Sequence, residues 1–333
     1  MEGRLENKIK IEKRIERKIS EMPEYMQRFY YSLGQKSHTT KNVYINNVVR
    51  FLLHKYNEFP PIESLKAIEP FDIQMYISEI RYHNENGNIT EIKEATQAGI
   101  YSSLSAFFTF LSKTYQINNP FSGKMIERPS IPDKSIVYMT ADEIKTVENQ
   151  ILNGGAGNKT ARSKQENWKY RDILLFRIPL INGLRVTALS EINVDDVDFI
   201  NKRIRVTEKR NVHKYVDFDN KTSEYIQIWL KQRRDLLKDK KETALFISNR
   251  RTRMTARAIE DVIKKYTEEC LEGKHITPHG LRRTFGTHAY QQTGDIYLVA
   301  ALLGHRSTEP TRRYAAIMET DKTAAVNKIS HLY

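Results

Sequence analysis

The chain holds a single cysteine, Cys270, in 333 residues. That excludes an internal disulfide and a thiolate metal cluster, and it points to a reducing, cytoplasmic compartment. No apolar run approaches the roughly 18 residues that a membrane helix needs, so no membrane span is expected. The first twenty residues, MEGRLENKIKIEKRIERKIS, carry acids throughout and lack the apolar centre of a signal peptide, so neither secretion nor organelle import is expected. The Gly-rich stretch LNGGAGNKTARSKQE lacks the Gly-Lys-Ser/Thr ending of a phosphate loop and reads as a surface excursion without chemistry. There is no internal repeat and no low-complexity tract.

What is abundant is positive charge. Lysine and arginine number 54 against 41 acids, a formal net charge of +13. An excess of this size suits a polyanionic partner, because each neutralised phosphate releases condensed counterions.

Residues 1–20 read as a charged, exposed helix with a thin stripe of Leu5, Ile11, Ile15 and Ile19. Residues 21–120 read as all helical. SHTTKNVYINNVVRFLLHKY opens with capping hydroxyls, and Ile100, Leu104, Phe107, Phe108 and Leu111 fall on one helical face. Residues 121–138 hold prolines and no periodicity, as a linker would. From 139 to 333 a capping box at Thr140 and Glu143 starts a second domain. Three alternating segments, NVDDVDF, KRIRVTE and VHKYVDFD, predict an antiparallel meander among helices. A short apolar stripe of Val326, Ile329 and Leu332 marks 319–333 as a tail helix.

Four basic clusters lie where these elements end. Arg185 follows a helix-ending glycine in NGLRVTAL, and Lys209 occupies the turn between two strands in VTEKRNVHKYV. His279 and Arg282 fall in the first turn of a helix in TPHGLRRTF. His305 closes an apolar helix in LLGHRSTEPTRRY, and Tyr314 follows it by nine residues. A zinc reading of the two histidines fails for want of further ligands.

In this order the motifs resemble the tyrosine recombinase (phage integrase) family: Gly-Leu-Arg, a lysine in a β-turn, His-x-Leu-Arg, Leu-Gly-His and a tyrosine nine residues on. The resemblance covers about residues 20–333. It implies a mainly α fold with a small antiparallel β-sheet, in which an N-terminal helical core-binding (SAM-like) bundle precedes a C-terminal α+β catalytic domain. It also implies a C-shaped clamp on duplex DNA, and a homo-tetramer linked by tail helices on synapsed DNA. Accessory DNA-bending or directionality proteins are possible partners, and no cofactor or metal is called for.

The resemblance assigns a role to each residue. Arg185 and Arg282 clamp the non-bridging phosphate oxygens, and His279 and His305 add donors to the transition state. Tyr314 attacks to give a 3'-phosphotyrosine, its pKa lowered by the cationic pocket. Lys209 protonates the leaving 5'-oxygen, with Arg210 and Lys214 as alternatives if the turn is displaced. Two positions depart from the family: Ala188 stands where a glutamate is common, and Arg283 where a histidine is common. The alternatives are a catalytically silent DNA-binding regulator and a type IB topoisomerase-like relaxing enzyme.

Further DNA contacts are expected from two helix starts. Arg250, Arg251, Arg253 and Arg257 surround a Thr255-capped helix, where an N-terminus with arginines can hold phosphates. Lys36, Ser37, Thr39, Thr40 and Lys41 resemble the family's core-binding contacts. About 20 residues precede the core-binding helices, fewer than a separate arm-binding domain would need. That leans toward element integrases, plasmid resolvases or Xer-like resolvases.

Overall fold

The computed structural model describes residues 12–85, 88–123, 125–130, 136–154, 162, 165–208, 212–305 and 307–318. The chain divides into two compact units, Met1–Lys134 and Ser135–Tyr333.

In the first unit, helix α1 (residues 12–20) is followed by α2 (Glu24–Ser32), α3 (His38–Tyr56), a 3-10 turn (Ile62–Ala67), α4 (Pro70–Glu79) and α5 (Glu94–Tyr115). Ser37 caps α3 by accepting from the Thr40 N–H at 3.2 Å. The apolar face of α5 is fully committed, with Ile100, Leu104, Phe107, Phe108 and Leu111 all buried. Phe29 meets Phe107 edge-on at 5.1 Å, and burying such a ring is worth roughly 1.5–3 kcal/mol.

Two expectations are corrected here. Ile15 and Ile19 do not line a solvated face; they are buried in this core at 8% and 2% exposure. Nor is the unit all helical, because strands β1 (Tyr82–Glu85) and β2 (Asn88–Glu91) pair antiparallel, Tyr82 with Glu91 and Glu85 with Asn88. The intervening Asn86-Gly87 is the sequence signal of a two-residue hairpin.

In the second unit, α6 (Ala141–Asn149) carries the expected reciprocal box between Thr140 and Glu143. Helix α7 (Lys169–Asn182) runs through the core, followed by the short α8 (Val186–Glu191). The meander β3 (Val197–Asp198), β4 (Arg203–Glu208) and β5 (Val212–Asp217) is antiparallel in that order, closing at Glu208 opposite Val212. Then come α9 (Asn220–Leu237), α10 (Ala256–Cys270), α11 (Pro278–Thr293), α12 (Ile296–Leu303) and α13 (Glu309–Met318). Helix α7 is flanked by α9 and α11. It holds the buried Arg171–Asp172 pair, to which the Tyr266 hydroxyl donates at 2.9 Å. The fold is thus mainly α with a small antiparallel sheet. The proposed tail helix lies outside the described residues, as does most of the Gly-rich excursion.

Candidate active site

Three element ends are joined by one side chain. Helix α7 stops at Gly183, which adopts the left-handed conformation at φ +61°. A Cβ there would stand 2.6 Å from Phe285 and 2.8 Å from Leu303, so glycine is required for space as well as for backbone. Helix α12 stops in the same way at Gly304, φ +62°. Arg282 lies in the first turns of α11, only 3% exposed. Its Nη1 donates to the Gly183 carbonyl and its Nη2 to the Leu303 carbonyl, each at 2.5 Å. One guanidinium therefore fixes the turn that presents Arg185, two residues past Gly183, to the turn that presents His305, two past Leu303.

Arg185 is half-buried at the N-cap of α8, with the buried Ala188 on that helix. His279 stays solvent-accessible in the first turn of α11. Its imidazolium is disfavoured first by partial burial and then by the charges of Arg283, Arg282 and Arg185, so its pKa lies below the ordinary value. His305 is held by its backbone N–H, which donates to Ala300 at 2.9 Å, and by its Nδ1, which lies 2.8 Å from the Thr311 hydroxyl. Thr311 is fully buried on α13 and sets the plane of that ring. Sequence reading missed it: a threonine six residues after the histidine carries no signal until the two helices pack.

Tyr314 follows Thr311 by three residues on α13 and is 5% exposed. Its ring packs with Val299 and Leu303, bordered by Phe285, Ala289 and Tyr290. It lies on Gly286 of α11, where a Cβ would come within 2.7 Å of Tyr314 Cζ. The expected lowering of its pKa is corrected. Burial raises it, and the opposing charges of Arg282, Arg283 and Arg313 do not overcome that rise. In this conformation the phenol is held protonated.

Of the sequence-predicted residues, Arg185, His279, Arg282, His305 and Tyr314 are brought together in this way. Lys209 lies outside the described residues, between strands that end at Glu208 and resume at Val212. The expected DNA contacts divide. Arg250 and Arg251 are exposed, whereas Arg257 pairs with Asp261 at 3.2 Å. The Arg253 guanidinium is turned inward, donating to Ser190 O at 2.9 Å and to Asn193 Oδ1 at 2.5 Å. That ties the end of α8 to the loop before α10 and gives Arg253 an architectural role beside the expected phosphate contact. In the first unit Lys36 and Thr39 are exposed, the Ser37 hydroxyl caps α3 and lies 2.8 Å from that of Thr40, and Lys41 lies over the Tyr30 ring at 4.9 Å. Among the described residues no helix is long and apolar enough to cross a membrane.

Comparisons with known proteins place the chain in a family. The phage integrase family model matches residues 156–320, a span that includes the six residues assigned to catalysis. The tyrosine recombinase XerC of Caldanaerobacter subterraneus subsp. tengcongensis is 27% identical over 270 residues, covering 80% of this chain and 70% of its own. XerC of Vibrio vulnificus is 31% identical over 224 residues, covering 67% of this chain and 66% of its own. Among solved structures, XerH recombinase bound to its palindromic difH substrate superposes with a TM-score of 0.65 at 20% identity, covering 87% of this chain and 79% of that one. The chain belongs to the tyrosine recombinase (phage integrase) family. It is a site-specific recombinase, and the relatives do not favour the regulator or topoisomerase readings.

Proposed function

We propose that this recombinase cuts and rejoins duplex DNA through Tyr314. The phenol gives up its proton to water as its oxygen attacks the scissile phosphorus, the bond to the 5'-oxygen breaks, and a 3'-phosphotyrosine forms. The energy of the broken linkage is conserved in that ester, so a second 5'-hydroxyl can reverse the step. Arg185 and Arg282 neutralise the non-bridging oxygens, and His279 and His305 donate to the charge that develops there. Lys209 gives the leaving 5'-oxygen its proton. The depressed pKa of His279 suits this work, since an arriving phosphate would restore the imidazolium where charge accumulates.

The observation that carries this reading is the Arg282 bridge from Gly183 to Leu303. It supports a shared site because it ties the turns of Arg185 and His305, while Leu303 and Tyr314 belong to one small buried cluster. Arg250, Arg251, Lys36, Thr39 and Lys41 are the proposed phosphate contacts beyond the scissile position. The assembly proposed is a homo-tetramer on synapsed DNA, with accessory DNA-bending or directionality proteins as further partners. Its task is integration and excision of a mobile element, or resolution of DNA multimers.

A nicked suicide duplex, tiled across the DNA flanking the gene, tests the reading. Covalent trapping that persists in chelator and disappears in Tyr314→Phe is expected. Metal-dependent cleavage without a protein–DNA adduct would overturn it. The position of the trapped site, at an element end or at a chromosomal or plasmid resolution site, distinguishes the two tasks.

A further inference from the structure

Residues 279, 283, 286 and 290 recur at intervals of four, three and four, so they share one face of α11. Gly286 on that face is the seat of the Tyr314 ring, and His279 begins it. Arg283 lies between them, one turn from each. Its side chain is half-buried, yet among the described residues it makes no hydrogen bond and no ion pair. Its neighbour differs sharply, because Arg282 commits both terminal nitrogens to the Gly183 and Leu303 carbonyls. A guanidinium that makes no hydrogen bond within the protein keeps all its donors available to an arriving anion. The electrostatics agree with the placement: the charge of Arg283 acts on both His279 and Tyr314, alongside those of Arg282, of Arg185 at His279 and of Arg313 at Tyr314.

We propose that Arg283 is a third guanidinium of the reaction centre, contacting the phosphate between His279 and the Tyr314 ring. The proposal rests on Tyr314 being the nucleophile. It gives the position after Arg282 a chemical task, where the sequence showed only a substitution. Arg282 then combines phosphate binding with the architecture of the site, and Arg283 supplies a planar fork not already spent on the fold.

The test uses the full chain and two probes. The first is inorganic phosphate, titrated while the imidazole signals of His279 are followed by NMR. Arg283→Gln should weaken phosphate binding at His279 about tenfold, a change of the size expected for one charge-assisted contact. Arg283→Lys should recover part of it. The second probe is the nicked duplex trapped by the wild-type chain. Arg283→Gln should slow adduct formation on the order of 100-fold, as loss of an oxyanion donor does, and shift its pH profile upward. Thermal unfolding should be unchanged in both variants, which separates this role from a structural one. Unchanged phosphate affinity together with wild-type trapping rates in Arg283→Gln would overturn the proposal while leaving Tyr314 as nucleophile. If no DNA traps even the wild-type chain, the nucleophile reading fails, and the phosphate titration still decides whether Arg283 is an anion contact.

Discussion

The Tyr314 ring rests directly on Gly286, close enough that one added methyl would come within 2.7 Å of Cζ. Glycine here serves contact and not backbone freedom, since the residue lies within the regular helix Pro278–Thr293. Gly286→Ala should push the ring off its seat at a cost of about 1–3 kcal/mol in overpacking. Burial is the largest cause of the raised Tyr314 pKa, so in this variant the phenol should titrate nearer its ordinary value. Ultraviolet difference titration against a Tyr314→Phe background reads that shift directly. A phenol that titrates as in the wild type would mean that the seat does not control ionisation.

Arg282 is expected to behave as a structural residue and a phosphate ligand at once. Lysine keeps the charge but cannot reach both carbonyls with a fixed fork. Arg282→Lys should therefore lose about 2–4 kcal/mol of stability, because buried carbonyls of Gly183 and Leu303 lose their donors. Urea unfolding checks this, and a variant as stable as the wild type would contradict the bridge.

The depressed pKa of His279 makes a signed pH prediction. Above the ordinary histidine value, near 6.5, the ring is neutral in both folded and unfolded chains and its full contribution to stability is present. As pH falls below that value the unfolded chain takes up a proton first, and stability declines until the folded-state pKa is passed. His279→Gln should flatten that part of the profile, as read from urea midpoints between pH 7.5 and 5. A wild-type midpoint that rises on acidification through this window, and does so only with His279 present, would reverse the sign.

The arginines before α10 should separate into two kinds. Arg253 donates to Ser190 O, Ile192 O and Asn193 Oδ1, so Arg253→Ala should cost about 2 kcal/mol of stability. Arg250 and Arg251 are exposed. Changing both to glutamine should leave stability near wild type and lower the salt dependence of DNA binding, the slope of log K against log salt falling by about 2. The reverse pattern would exchange their roles.

Much of the site was legible because its chemistry demands particular residue types at element ends. Arg185 after Gly183, His305 after Gly304 and the meander around Lys209 all carry local signals. What was not legible depends on partners distant along the chain. Thr311 matters only because α13 packs its hydroxyl against His305. Arg253 reads as one of a surface cluster until the carbonyls at 190 and 192, some sixty residues earlier, are seen to receive it. Charge near Tyr314 could be counted from sequence, but burial could not, and burial decides the direction of its pKa. The Tyr82–Glu91 hairpin is different: its Asn-Gly signal was present and was outweighed by helical patterns on either side.

The most direct measurement of Tyr314's role is peptide mapping of the covalent adduct formed with a nicked duplex. A nuclease-trimmed nucleotide joined through its 3'-phosphate to the peptide carrying Tyr314, and no adduct from the Tyr314→Phe chain, is the predicted result. An adduct on Tyr290, Tyr297 or Tyr333, or one that survives in Tyr314→Phe, would contradict it.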